Sequence, residues 1–260
     1  MQFLIIKNFL HTALTTLKKS LKNKGALTLS LSTLVIPSSF ANTSTDLASD
    51  SVKEYTAKYD VLRKGERYGR ATRILKKLDN NNCRISYESD IEWMIFSDKR
   101  TEISTFPCYD NHVSPKNYQM IRTGTGRDKN YKISFDRTNK QVFSNKEKFP
   151  LKLIWDDQLQ DGISYQVQFR RDIKQGKTEF DYPLVDKKGR VRHYKFQVVG
   201  KETITLPFGN VETIKVKRLY DNDKRQVSVW FAPSLDYMMV RTWKGEKGVE
   251  QFDIQLKSLN

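Results

Sequence analysis

Residues 55–61 read YTAKYDV, and their alternation decides the fold. Tyr55, Ala57, Tyr59 and Val61 fall on every second position, with Thr56, Lys58 and Asp60 between them. Successive side chains of a strand point to opposite faces, so this pattern makes a strand with one buried face. The same period recurs at Ile85 and Tyr87, at Tyr165, Val167 and Phe169, and at Tyr194, Phe196 and Val198. It returns at Ile214 and Val216, and again at Val227 and Val229. Each of these runs is expected to be a strand.

Turn-forming residues separate the runs at Lys64-Gly65, Asp79–Asn82, Gly124-Thr125-Gly126, Gln175-Gly176, Lys188-Gly189, Phe208-Gly209-Asn210, Asp221-Asn222-Asp223 and Lys244-Gly245. Such short breaks suit antiparallel hairpins, because a parallel crossover needs a dozen or more residues. The expected class is all-β: an antiparallel curved sheet or barrel of about eleven or twelve strands with one or two short helices. VWFAPSLDYMMVRTW, Val229–Trp243, reads as a strand, a proline break and a returning strand. Val227, Val229 and Phe231 share one face and Trp230 takes the other, while Tyr237 and Met239 oppose Met238 and Val240. One stretch departs from the period. In PLKLIWDDQLQ, Pro150–Gln160, Leu151, Ile154, Trp155 and Leu159 stand near helical spacing. A short helix covering an open end of the sheet is expected there.

The N-terminus reads differently. Lys18, Lys19, Lys22 and Lys24 precede an apolar run from Ala26 to Ile36, then Pro37 and the small-x-small triplet Ser39-Phe40-Ala41. This is the pattern of a secretory signal peptide cleaved after Ala41. The run is well short of the roughly 20 apolar residues that span a bilayer, so no transmembrane span is expected in the mature chain. The expected organisation is residues 1–41 as signal peptide, 42–54 as a flexible leader rich in Ser, Thr, Asn and Asp, and 55–260 as a single β-rich domain with a seam near 150–160. The expected location is the periplasm. The chain carries a net charge of +16, and removing the signal peptide leaves it strongly basic. A basic surface favours anionic partners. In that compartment these are lipid headgroups or anionic envelope polymers, not nucleic acid.

Two cysteines follow, Cys83 and Cys108. Export to an oxidising space makes a disulfide between them reasonable. If Ser97–Arg100 is the hairpin turn, however, the two share a face but sit several residues out of register, and a bulge or another strand order is needed. Cys108-x3-His112 has half the spacing of a metal site, but no second close pair completes it, so no metal and no cofactor are expected.

No nucleophile elbow, zinc-protease helix or phosphate-binding loop occurs. Gly124-x-Gly126 between Arg122 and Arg127 reads as a hairpin turn before it reads as an anion nest. Asp156, Asp157, Glu202 and His193 are the only acid–base candidates, and the adjacent aspartates do not face each other. For a cavity wall the aromatic candidates are Trp93, Trp155, Phe196, Trp230 and Tyr237, with Tyr59 and Phe135 beside them; ordinary core is the competing role of each. Lys215 and Lys217, which share a face, and Arg192 are candidates for anion binding, against a plain solvated face.

The order Gly200-Lys201-Glu202, Thr205-Leu206-Pro207-Phe208-Gly209, Thr213-Ile214-Lys215-Val216 and Trp230-Phe231-Ala232-Pro233 carries a resemblance. With Leu153–Leu159 followed by Asp161-Gly162, and more loosely Tyr55-x3-Tyr59, Gly65 and Pro115-x2-Tyr118, it resembles the exported bacterial family catalogued as domain of unknown function 3108. Where that family often has Leu-Pro-Val-Arg, this chain has Met238-Met239-Val240-Arg241. The resemblance implies a periplasmic β-rich protein and brings no reaction or catalytic residue. The expected function is a non-enzymatic cell-envelope protein that binds an apolar or anionic ligand, such as a lipid or glycolipid, or an envelope partner. The alternatives are a structural or assembly factor holding another envelope protein, and a barrel-based hydrolase or isomerase.

Overall fold

The computed structural model describes residues 53–109 and 112–260; the segment read as a signal peptide lies outside them, as do residues 42–52 of the leader. Strands β1 (Tyr55–Arg63), β2 (Glu66–Lys77), β3 (Asn82–Trp93), β4 (Phe96–Pro107), β5 (Asn117–Gly124), β6 (Lys129–Asp136) and β7 (Gln141–Ser144) come first. Helix α1 (Ser164–Lys174) follows, then β8 (Glu179–Val185), β9 (Val191–Leu206), β10 (Gly209–Arg218), β11 (Arg225–Ala232), a 3-10 turn (Pro233–Leu235), β12 (Met238–Glu246) and β13 (Val249–Leu259). All thirteen strands form one antiparallel sheet in the order β7-β6-β5-β4-β3-β2-β1-β13-β12-β11-β10-β9-β8. From β1 in the middle the strands meander to one edge, cross to the other and meander back until β13 pairs with β1.

The sheet curls but does not close by strand pairing. Segment 145–163 bridges its edges: Leu151 N donates to the Val142 carbonyl of β7, Gln160 N to the Pro183 carbonyl of β8, and Val185 N to the Gln160 carbonyl. The segment thus pairs some of the edge backbone groups that would otherwise invite aggregation. This segment is not the short helix that its spacing predicts. It is extended and turn-like because its backbone groups are spent on two strand edges. The helix comes just after it, where Tyr165, Val167 and Phe169 read as a strand. Short apolar runs are ambiguous between the two periods. What settles it is burial at Val167, Gln168, Phe169, Asp172 and Ile173, which follows helical spacing. Among the described residues no helix is long and apolar enough to cross a membrane.

The Asp161-Gly162 pair starts the helix. Asp161 Oδ1 accepts from Ile163 N and Ser164 N, and its own N donates to Ser164 Oγ. A Cβ at Gly162 would stand 2.4 Å from the Tyr118 hydroxyl, so glycine is required for that close approach. Helix α1 then plugs the concave side. Its Val167 packs with Cys83, Ile85 and Phe106, while its Phe169 contacts the rings of Phe180, Phe196 and Phe231.

The proline corner follows the sequence reading. β11 ends at Ala232 and β12 begins at Met238, with Phe231, Val229 and Met239 in one core cluster and Trp230, Met238 and Val240 in another. Lys244-Gly245 is not a turn but a bulge within β12; the turn is Lys247-Gly248. The hairpin turn near residue 97 also moves. Trp93 pairs with Phe96, so the loop is Met94-Ile95, and Ser97–Arg100 lies inside β4. This shift sets Cys83 opposite Phe106 and resolves the register difficulty. Cys83 and Cys108 form a disulfide with Cα atoms 5.0 Å apart.

Candidate functional site

Because the sheet is a meander, the β1–β2, β3–β4, β5–β6 and β12–β13 loops all rise at one end of the curled sheet. There a cleft of about 270 Å³ opens between β1, β3, β4 and β13, walled by Val61, Tyr68, Ile91, Trp93, Phe96 and Phe252. The indole of Trp93 stacks on Phe96 at 5.8 Å, meets Tyr68 edge-on at 6.3 Å and lies under the Arg63 guanidinium at 5.4 Å. Above the cleft the hairpin loop leaves four consecutive apolar residues in solvent: Trp93 is 41% exposed, Met94 and Ile95 85% each, and Phe96 49%.

Two of the residues mistaken for a turn face the inside instead. Alternation along β4 puts Asp98, Arg100 and Glu102 on the face that also carries the buried Phe106. Arg100 stands opposite Arg122 of β5, and Arg122 opposite Lys129 of β6. Like charges placed directly across strands repel. They are tempered here by Asp98, which takes a 2.5 Å bond from Arg122 Nε, and by Glu102, 3.6 Å from Arg100. Deeper on the same face Arg73 is buried beneath Tyr59 and Tyr87, its Nη1 reaching the Tyr59 hydroxyl at 3.4 Å. Among the described residues no carboxylate pairs with Arg73. The concave face therefore carries cations below an apolar mouth.

Of the five aromatic residues nominated from sequence, only Trp93 lines this cleft. Trp155 sits in the bridging segment, donating to Asp157 at 2.7 Å with Arg137 over its ring. Phe196 is core, 4.8 Å from Phe169. Trp230 faces the other side of the sheet, held between Lys215 and Arg241 and donating to Glu202 at 2.6 Å. Tyr237 occupies a left-handed turn position. Tyr59 and Phe135 are buried in two separate clusters. The nominated cations do not gather either. Lys215 is tied to Glu202 at 3.1 Å, Lys217 is exposed on the same face, and Arg192 lies on the Phe196 face of β9, opposite the face that Lys217 shares with Gln197.

The acid–base candidates Asp156, Asp157, Glu202 and His193 are all exposed and do not converge. Bonds from Trp230 and Lys215 hold the Glu202 carboxyl below its ordinary pKa, and His193 pairs with Asp181. Gly124 serves a close approach: a Cβ there would lie 2.3 Å from the Ser97 carbonyl oxygen. Sequence reasoning missed Phe96, Ile91, Phe252, Arg63 and Arg122. The run Trp93-Met94-Ile95-Phe96 was a signal for the first, but the polar Ser97–Arg100 was the more conventional turn.

The fold and this rim define an all-β, barrel-like protein built on a single open antiparallel sheet. The chain belongs to the family described as "Protein of unknown function (DUF3108)", which matches residues 54–247. No curated protein matches the chain. Among solved structures it is similar to the crystal structure of a β-barrel-like protein of domain of unknown function DUF1849 from Brucella abortus. The identity is 8%, the TM-score 0.53, and the match covers 80% of this chain and 97% of that one. At this identity the likeness concerns the fold alone.

Proposed function

We propose that this is a non-enzymatic cell-envelope protein, exported to the periplasm with cleavage after Ala41, that binds an amphiphile at the mouth of its curled sheet. The ligand class is a lipid or glycolipid with an apolar chain and an anionic group. The observation that supports the reading is the adjacency of the apolar wall at Trp93, Phe96 and Ile91 to Arg63 and Arg122 in one cleft. Apolar surface takes the chain by burial, and guanidinium groups suit a phosphate or carboxylate. The basic block before Ala26 and the short apolar run after it support export.

A soluble short-chain phosphatidylglycerol, titrated below its micelle concentration by calorimetry, tests this. Saturable binding is expected, weakened about tenfold by Trp93→Ala and by Arg122→Gln, which corresponds to about 1.4 kcal/mol. Native mass spectrometry of protein purified from envelope fractions should show a lipid-sized adduct. A protein that binds no probe and carries no adduct sinks the proposal.

A further inference from the structure

Three rim loops stand side by side, at β3–β4, β1–β2 and β12–β13. Two are built alike: Lys64 at φ +52 precedes Gly65 at φ +82, and Lys247 at φ +51 precedes Gly248 at φ +76. Two-residue hairpin loops favour such polar and glycine residues because the backbone turns left-handed. The third loop takes Met94 at φ +53 followed by Ile95. The left-handed φ does not suit Met94, and both side chains are 85% exposed. Local turn chemistry therefore does not account for Met94-Ile95.

The loop is also braced. Thr125 N donates to the Ser97 carbonyl at 2.8 Å, Thr125 Oγ1 donates to the Ile95 carbonyl at 3.2 Å, and Ser97 N donates to Thr125 Oγ1 at 3.0 Å. A braced apolar apex with aromatic shoulders, and two lysine loops along the rim beside it, has the layering of a membrane interface. Apolar side chains enter the acyl boundary, Trp and Phe sit at headgroup depth, and Lys meets phosphate. A protein partner asks for a broad complementary patch, which a two-residue apex does not offer.

We infer that the Trp93–Phe96 loop docks the protein onto an anionic lipid bilayer, with Met94 and Ile95 inserted and Lys64 and Lys247 on the headgroups. Docking sets the cleft mouth at the lipid surface, yet it stands on the loop alone and not on the cleft reading.

The test is co-sedimentation of the purified protein with vesicles of phosphatidylglycerol and phosphatidylethanolamine, against vesicles of phosphatidylcholine. The wild type should sediment with the anionic vesicles, and less so as salt rises. Met94→Asp with Ile95→Asp should lower partitioning at least tenfold while leaving the melting temperature and short-chain probe binding unchanged. Lys64→Glu with Lys247→Glu should remove the preference for anionic vesicles. A wild type that ignores vesicles, or a double-aspartate variant that sediments like the wild type, overturns the inference. So does a loop that crosslinks to a protein in cells while vesicles fail to bind. Docking without probe binding rejects only the cleft reading, and probe binding without docking rejects only this one.

Discussion

Ser104 Oγ donates to Asp161 Oδ2 at 2.6 Å, fastening the concave face of β4 to the residue that starts helix α1. Both residues are fully buried. Burial pushes the Asp161 pKa up to about 6, although bonds from Ser104, Ile163 and Ser164 each pull it down. The pKa of an unfolded aspartate is about 3.9. Between those values the folded protein keeps a proton that the unfolded chain releases, so the contribution of Asp161 to stability is full below about pH 4 and is lost as pH rises through about 6. The loss is on the order of 3 kcal/mol. Asp161→Asn removes the titration, so urea unfolding across this window should show a flatter profile for the variant than for the wild type.

The Cys83–Cys108 bridge closes a loop with a sequence separation of 25. Chain entropy puts its contribution at roughly 3–4 kcal/mol. Cys83→Ala with Cys108→Ala should lower the urea midpoint by the corresponding amount, and reductant should do the same to the wild type but nothing to the variant.

Gly124→Ala places a Cβ against the Ser97 carbonyl at a backbone φ of +123. Something in the β3–β4 and β5–β6 loops must shift. Global stability should fall by about 1–3 kcal/mol. Amide exchange should speed up selectively at Ser97 and Thr125, whose N–H groups tie the two loops together. Unchanged exchange there would mean that the brace is not the constraint it looks to be.

On the opposite face Arg241 makes two bonds to Asp253, at 2.9 and 2.6 Å, and the aspartate side chain is 7% exposed. Removing Arg241 leaves the buried carboxylate on the Gln255 amide, whose Nε2 donates to Asp253 Oδ2 at 3.0 Å. Arg241→Ala should cost about 1.5–3 kcal/mol. The double variant Arg241→Ala with Asp253→Ala should cost less than the two single changes added together, and a double-mutant cycle measures the coupling.

Much of the fold was legible in the residues. The period at Tyr55–Val61, the opposed faces around Pro233 and the short polar loops all led to an antiparallel curled sheet. The helix was misread because Tyr165, Val167 and Phe169 satisfy a two-residue period over too short a span. The burial of Gln168 between them, and of Asp172 and Ile173 one turn on, separates the two readings. The site was less legible. Trp93 was among the candidates, but Phe196 and Trp230, equally aromatic, went to core and to the far face.

Side-chain alternation, which is local, already carried the strand character and opposed faces of runs such as Tyr55–Val61 and Val227–Phe231, and composition carried the basic charge. Tertiary structure alone decided which four residues of Trp93–Arg100 turn the corner. Local propensity favours the polar Ser97–Arg100. Pairing along the whole of β3 and β4 instead sets Trp93 against Phe96, draws Asp98 and Arg100 inside and leaves Met94 and Ile95 outside. Register is a sum over a dozen cross-strand pairs and the bridge at their far end, and that sum outweighs the preference of a single turn.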